Sequence, residues 1–381
     1  VTDETQRARF DPTAEDGDGS SKLEEGVALC LSGGGYRAML FHCGTLLRLN
    51  EMGALKGLKR VSSVSGGSLT AGLLGLRWSE LGFSEGVAEH LRVRVVDPIL
   101  EFSRRTIDIS AVVTGLALPF VSVADRVESA YRELFGTSTL QDLPDDSGPR
   151  FIINATNMQS GVLFRFSRPY AGDYRIGRIK NPTISVARAV AASSAFPPFL
   201  SPVILKPRGV EWLQGDQRYA NLRARIVLSD GGVYDNLGLE TAFKRYKTLI
   251  VSDGGQGMAP EKAPGEDWAR HSKRAFELVD NQVRSLRKRI LIEAFRSKER
   301  SGAYFGMRSD PSEFPVTPIA SIDAARARQL ADTPTRLASL DPLYARRLVN
   351  YGYAISDIAY RSWLNPSQKA PTTLPYPDEG I

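Results

Sequence analysis

The tightest constraint on this chain lies in residues 26–76. Residues 26–32, Gly-Val-Ala-Leu-Cys-Leu-Ser, are an apolar run of strand length that stops at Gly33-Gly34-Gly35. Residues 39–52 then place Met39, Leu40, Cys43, Leu46, Leu47 and Leu49 at helical spacing. A second strand follows over residues 60–65, Arg-Val-Ser-Ser-Val-Ser, and a helix of small residues over 67–76. Strand, glycine turn, helix, strand, sharp turn and helix in succession predict a parallel sheet covered by helices. The fold class expected is therefore α/β.

The rest of the chain extends this pattern. Residues 1–22 are polar and acidic and predict a flexible arm. Residues 86–140 read as a helical insertion around an apolar stretch at 107–123, a candidate lid or acyl-chain wall. Residues 150–154 and 162–167 predict a hairpin about Ser160-Gly161, and 183–194 a helix stopped by Pro197-Pro198. Two short strands, 226–229 and 249–252, each run into Asp-Gly-Gly. Long helices are expected over 268–298 and 342–364. On this reading a catalytic domain spans 23–260, a helical extension 261–364 packs on it, and a Pro-rich tail, 365–381, frays or lies along the surface.

Composition narrows the chemistry. Two cysteines (Cys30, Cys43) and three histidines (His42, His90, His271) exclude a disulfide framework and leave little for a metal centre. The stretch at 107–123 is too short and interrupted to span a bilayer, and the first residues lack the basic start and apolar core of a signal peptide. Cysteine usage points to the cytoplasm, with peripheral contact at a membrane as the further expectation. Residues 270–300 hold ten basic against four acidic residues, a surplus equal to the +6 of the whole chain. Docking on an anionic membrane would use that charge. The preferred reading is a solvated helix burying Phe276, Leu278, Val279, Val283, Leu286 and Ile290. Nucleic acid is not expected, for want of a recognition motif or stacking platform.

Candidate chemistry gathers at three turns. Ser65 in Ser63-Val64-Ser65-Gly66-Gly67 stands where a strand gives way to a helix, on a turn that exposes its hydroxyl. Small residues on either side, Ser63 and Gly67, let strand and helix approach. Gly33, Gly34 and Gly35 open a helix and can aim amides at a developing oxyanion, with Arg37 adding positive charge. The same loop lacks the Gly-Lys-Ser/Thr of a nucleotide-phosphate loop, and no acidic residue closes the second strand as dinucleotide binding requires. A base for Ser65 would come from Asp230 or Asp253, which look alike locally. A triad with His271 is disfavoured by the basic helix that carries it.

Taken in order, Gly33-Gly34-Gly35-Tyr36-Arg37, the turn around Ser65 and Asp230-Gly231-Gly232 resemble the patatin-like phospholipases over residues 25–255. The segment 189–198 is similar to the family's connection between nucleophile and aspartate. Ser63 replaces the first glycine of the usual elbow and Ala38 a glycine after the basic residue; both are small. The resemblance implies a three-layer α/β/α fold with a mainly parallel sheet. It also implies acyl-ester hydrolysis by a Ser65–Asp230 dyad with neither cofactor nor metal, and it favours Asp230 over Asp253. A dyad base has to be poised near working pH, so burial is expected to raise the Asp230 pKa. The expected substrate is a phospholipid or other acyl-ester lipid. Hydrolysis of soluble esters or thioesters, or a catalytically silent lipid-binding or scaffold role, are the alternatives.

Overall fold

The computed structural model describes residues 23–107, 123–319 and 322–381. The first quarter follows its periodicity: β1 (Glu24–Leu31), α1 (Gly35–Glu51), β2 (Leu58–Val64) and α2 (Gly66–Leu76). A two-stranded ribbon, β3 (Phe83–Ser84) and β4 (Val87–Ala88), leads to α3 (Asp97–Phe102) and α4 (Val123–Phe135). Of the expected lid stretch, 107–123, residues 108–122 lie outside the described residues, as does the N-terminal arm. Next come β5 (Arg150–Asn157), β6 (Val162–Phe166), β7 (Tyr170–Asp173), β8 (Gly177–Lys180) and α5 (Val186–Ser193). The remaining strands are β9 (Val203–Leu205), β10 (Trp212–Leu213), β11 (Ile226–Asp230), β12 (Tyr246–Asp253) and β13 (Ser301–Gly306). Short helices α6 (Gly232–Asp235) and α7 (Glu240–Phe243) precede β12; α8 (Trp268–Arg296), α9 (Ala324–Ala331) and α10 (Pro342–Trp363) complete the chain.

Five strands, in the order β5-β2-β1-β12-β13, run parallel, and β6, β7, β8 and β10 continue the sheet antiparallel beyond β5. Alternation along β1 divides the core. Ala28 and Cys30 face one side with Leu249 and Val251, where Ala242 of α7 and Leu291 of α8 cover them. Leu29 and Leu31 face the other, under α1, α2, α5 and α10. The result is a three-layer α/β/α fold. Cys30 and Cys43 are buried free thiols, and burial pushes both pKa values up, which leaves them inert.

Three expectations change. The block 261–364 is not purely helical, because β13 adds a parallel strand against β12. Its packing against the rest of the fold is close. A Cβ on Gly44 of α1 would lie 2.0 Å from the Val349 carbonyl, and one on Gly352 2.0 Å from the Phe41 carbonyl. Helices α1 and α10 thus touch backbone to backbone, and a single methyl there would cost about 1–3 kcal/mol. Second, the tail is held down rather than frayed: the Lys369 carbonyl accepts from Arg48 (2.7 Å), and Leu374 and Ile381 are buried. Third, Leu278, Val279, Leu286 and Ile290 of α8 are exposed, not buried. Arg287 and Lys288 point inward instead, to Glu240 (2.8 Å) and Asp253 (2.5 Å). Their charge is therefore not free to meet an anionic surface.

Candidate active site

Strand β5 brings Ser65 and Asp230 together. Along one edge its first half pairs with β2, ending at Val64↔Asn154. Its other edge is taken by β6 over Ile153–Asn157. The next position on the first edge, Ala155, pairs with Asp230 of β11, which approaches antiparallel from the opposite end. β2 and β11 thus meet nearly end to end on a single template. Ser65 stands one residue past the tip of β2, and Asp230 is the last residue of β11. Local patterning had suggested two similar apolar strands ending in Asp-Gly-Gly; only β12 is parallel to β1.

Ser65 holds φ 51° and ψ −120°, a left-handed conformation that costs a non-glycine residue about 1–3 kcal/mol and survives only when its surroundings enforce it. Enforcement is visible. The Ser65 amide donates to Ser193 Oγ (2.9 Å), and Ser193 also meets Ser68 Oγ (2.9 Å). Ser68 Oγ donates to Ser63 Oγ (3.0 Å), so the serine that replaces the elbow glycine is buried within a hydroxyl chain. A Cβ on Gly67 would lie 2.4 Å from the Leu31 carbonyl, so the close approach of α2 to β1 requires glycine there.

Asp230 is 2% exposed and Ser65 8%. The Asp230 backbone is anchored by its amide to the Ala195 carbonyl (2.9 Å) and by Thr156 Oγ1, which donates to its carbonyl (2.8 Å). Its carboxylate accepts from the Gly232 amide (2.6 Å), and the Ser65 side chain lies near enough to act on its titration. Burial dominates its titration and pushes the pKa up to about 7; the Gly232 amide and the Ser65 side chain oppose the rise and the Asp280 charge adds to it. Asp253 differs in every respect that local sequence hid. It accepts from the Gly255 amide (2.9 Å) and Tyr304 Oη (2.8 Å), and pairs with Lys288 (2.5 Å) and Arg284 (3.6 Å). Burial works to raise its pKa, but Lys288 and Arg284 outweigh burial and hold it below the ordinary carboxylate range. An anion so neutralised is a poor base.

The glycine loop lies against the serine. A Cβ on Gly33 would come within 3.1 Å of Ser65 Cβ and 2.4 Å of Asn236 Oδ1. Its amide, however, donates to the Asn236 carbonyl (3.0 Å). The amides of Gly34 and Gly35 have no protein acceptor among the described residues. They open α1, where unsatisfied N–H groups and the helix dipole favour negative charge. Gly66, the residue after the serine, also leaves its amide without an acceptor among the described residues, and a Cβ there would meet the Gly35 carbonyl at 2.1 Å. Arg37 does not converge with the others. Its guanidinium donates to the carbonyls of Gly254 (2.9 Å) and Thr333 and to Thr335 Oγ1 (3.0 Å), tying loops together behind the glycines. Sequence reasoning assigned it to the oxyanion, and it missed Gly66, Ser193 and the Asn236 carbonyl. The first could have been found from its place after the serine; the others carry no local signal.

Neither histidine near these elements acts as a base. His42 is buried, its Nε2–H donating to the Ser32 carbonyl (2.9 Å) while Nδ1 meets Ser252 Oγ (2.9 Å); burial lowers its pKa to about 4. His271 is exposed on α8, away from the serine's cavity. That cavity, of about 760 Å³, holds Ser65 and Asp230 at its floor. Phe196, Phe199, Leu200, Phe276 and Leu337 contribute apolar lining, and Lys273, Arg274 and Arg284 line it beside Glu277 and Asp280. Its size and largely apolar lining suit a ligand with an apolar body.

The patatin-like phospholipase model matches residues 29–243, more than half of the chain. The chain belongs to the patatin-like phospholipase family, a family of lipid acyl hydrolases. None of the curated proteins matches this patatin-like chain. Among solved structures it is similar to human GIVD cytosolic phospholipase A2, at 13% identity and a TM-score of 0.47, over 94% of this chain and 63% of that one. The same enzyme in complex with methyl gamma-linolenyl fluorophosphonate is similar at 14% identity and a TM-score of 0.45, over 93% and 62%. VipD from Legionella pneumophila is similar at 16% identity and a TM-score of 0.37, over 92% and 72%. The chain spans about three fifths of the length of those phospholipase A2 structures. Among the described residues no helix is long and apolar enough to cross a membrane.

Proposed function

We propose that this patatin-like chain hydrolyses the carboxylic esters of phospholipids or related lipids, with Ser65 as nucleophile and Asp230 as its base. One observation carries the reading: the hydroxyl of a serine in a strained elbow bears on a buried carboxylate with a pKa near 7, at the floor of a largely apolar cavity. Asp230 accepts the Ser65 proton as Oγ attacks the ester carbonyl. The amides of Gly34, Gly35 and Gly66 receive the oxyanion as charge develops on it. Protonated Asp230 then gives its proton to the departing alkoxide, leaving Ser65 acylated. Water enters, Asp230 takes a proton from it as it attacks the acyl-enzyme, and Asp230 then returns that proton to Ser65 Oγ as the fatty acid leaves. A carboxylate can serve without histidine because burial has brought its pKa close to neutral.

The test is labelling by a fluorophosphonate probe together with hydrolysis of phospholipid vesicles and of a short soluble ester. Wild-type chain should label and hydrolyse, and Ser65→Ala should do neither while retaining its fold. Labelling that survives the substitution removes Ser65 as the nucleophile. Faster turnover of the soluble ester than of the vesicle lipid would move the substrate class to soluble acyl esters.

A further inference from the structure

Helix α8 is amphipathic in the wrong sense for a surface helix. Its inward side holds charge: Arg284, Arg287 and Lys288 reach Asp253, Asp235 and Glu240. At 100° per residue, Trp268, Ala275, Val279, Leu286 and Ile290 lie within about 60° of one another on the opposite side, along about 33 Å of helix. All five are exposed, Trp268 by 83%, Val279 by 62% and Ile290 by 57%. An outward apolar stripe of that length marks an interaction surface.

Its surroundings identify the occupant. One edge of the stripe carries Arg289 and Arg296, exposed and without an ion-pair partner among the described residues, against a single acidic residue, Glu293, on the stripe itself. Cations without matching carboxylates suit an anionic sheet of charge rather than a second helix, whose flanks normally alternate in sign. The same helix turns its other face, with Lys273, Phe276, Asp280 and Arg284, to the Ser65 cavity, so the stripe lies on the side away from that cavity. A tryptophan stands at the end of the stripe, where an amphipathic ring anchors well at a lipid–water boundary.

We propose that the outward stripe of α8 seats the chain on an anionic lipid surface. This rests on the hydrolase reading for its purpose, but binding can be measured without turnover. The full chain carrying Ser65→Ala is floated with vesicles of phosphatidylglycerol and phosphatidylcholine, and with phosphatidylcholine alone. It should bind the mixed vesicles at least tenfold more tightly. Trp268→Ser with Ile290→Ser should weaken binding to the mixed vesicles by about tenfold or more. Arg289→Ser with Arg296→Ser should remove most of the preference for anionic lipid and little of the binding to neutral lipid. In the Ser65 chain neither pair of substitutions should alter hydrolysis of a soluble ester. Absence of binding, or binding indifferent to both pairs, overturns the proposal. So does a stripe variant that converts a dimer to a monomer by light scattering while vesicle binding stays the same. Binding as described with no ester hydrolysis by the Ser65 chain would retain the docking surface and remove the hydrolase reading.

Discussion

Replacing Asp230 with asparagine should abolish hydrolysis and at the same time make the protein more stable, by an amount set by pH. An exposed aspartate titrates near 3.8, whereas Asp230 in its buried site titrates at about 7. Between those values the unfolded chain sheds its proton and the folded chain keeps it. Folding is then opposed progressively as pH rises, and the loss is complete above about 7. Each tenfold displacement is worth about 1.4 kcal/mol, so ionising this carboxyl costs the native state about 4 kcal/mol at pH 8. Asparagine has no proton to shed, and its Oδ1 can still accept from the Gly232 amide. Wild type and Asp230→Asn should therefore be nearly equal in stability at pH 4. The variant should lead by about 4 kcal/mol at pH 8, a rise of about 1 M in the urea midpoint. Urea unfolding followed by circular dichroism across pH 4–8 measures the gap. A gap that stays constant with pH, or that favours wild type at pH 8, would refute the argument that Asp230 is held near neutrality by burial.

The same titration predicts that kcat/KM for a soluble ester rises with pH through about 7, since only the ionised carboxylate can accept the Ser65 proton; a plateau extending down to pH 5 would contradict it. Gly66→Ala would press a methyl to 2.1 Å from the Gly35 carbonyl, spreading the amides around the oxyanion. Turnover should fall by about a hundredfold or more, and a folded variant with normal kcat would remove Gly66 from that role. Asp253→Asn leaves Lys288 and Arg284 facing a neutral group and should cost about 3–5 kcal/mol. Because the Asp253 pKa is depressed, its contribution is present above the unfolded value of 3.8 and lost as pH falls below it, so wild type and variant should converge in acid; equal stability at pH 7 would show the pairing to be idle.

Much of this was legible in short windows of sequence. The glycine loop, the serine turn and the helices α1 and α2 announce themselves through periodicity and turn chemistry, because those signals are local. Asp230 and Asp253 could not be told apart that way, since each ends an apolar strand in Asp-Gly-Gly. They differ only in what the tertiary fold places opposite them, Ser65 in one case and Lys288 with Arg284 in the other. Arg37 misled for a related reason: its place beside the glycines was read correctly, but its guanidinium follows carbonyls of Gly254 and Thr333, far along the chain. Strand β13 was too short and too rich in glycine to stand out from the helices around it. For α8 the 3.6-residue period gave an apolar stripe without giving its direction. The usual inference that apolar means inward failed because buried carboxylates at Asp235 and Asp253 demand the cations on the other side.

The end-to-end meeting of β2 and β11 on β5 has a consequence for how such a domain can change over time. Val64 and Asp230 occupy neighbouring rungs, opposite Asn154 and Ala155. The spacing between nucleophile and base is thus a property of one ladder, not of the long excursion that joins them in the chain. Segments between β2 and β5, or between β6 and β11, can lengthen, shorten or acquire new faces while that rung spacing stays constant. Substrate preference and regulation can therefore be rewritten in the connections without retuning the chemistry, provided β5 keeps both neighbours on the same edge.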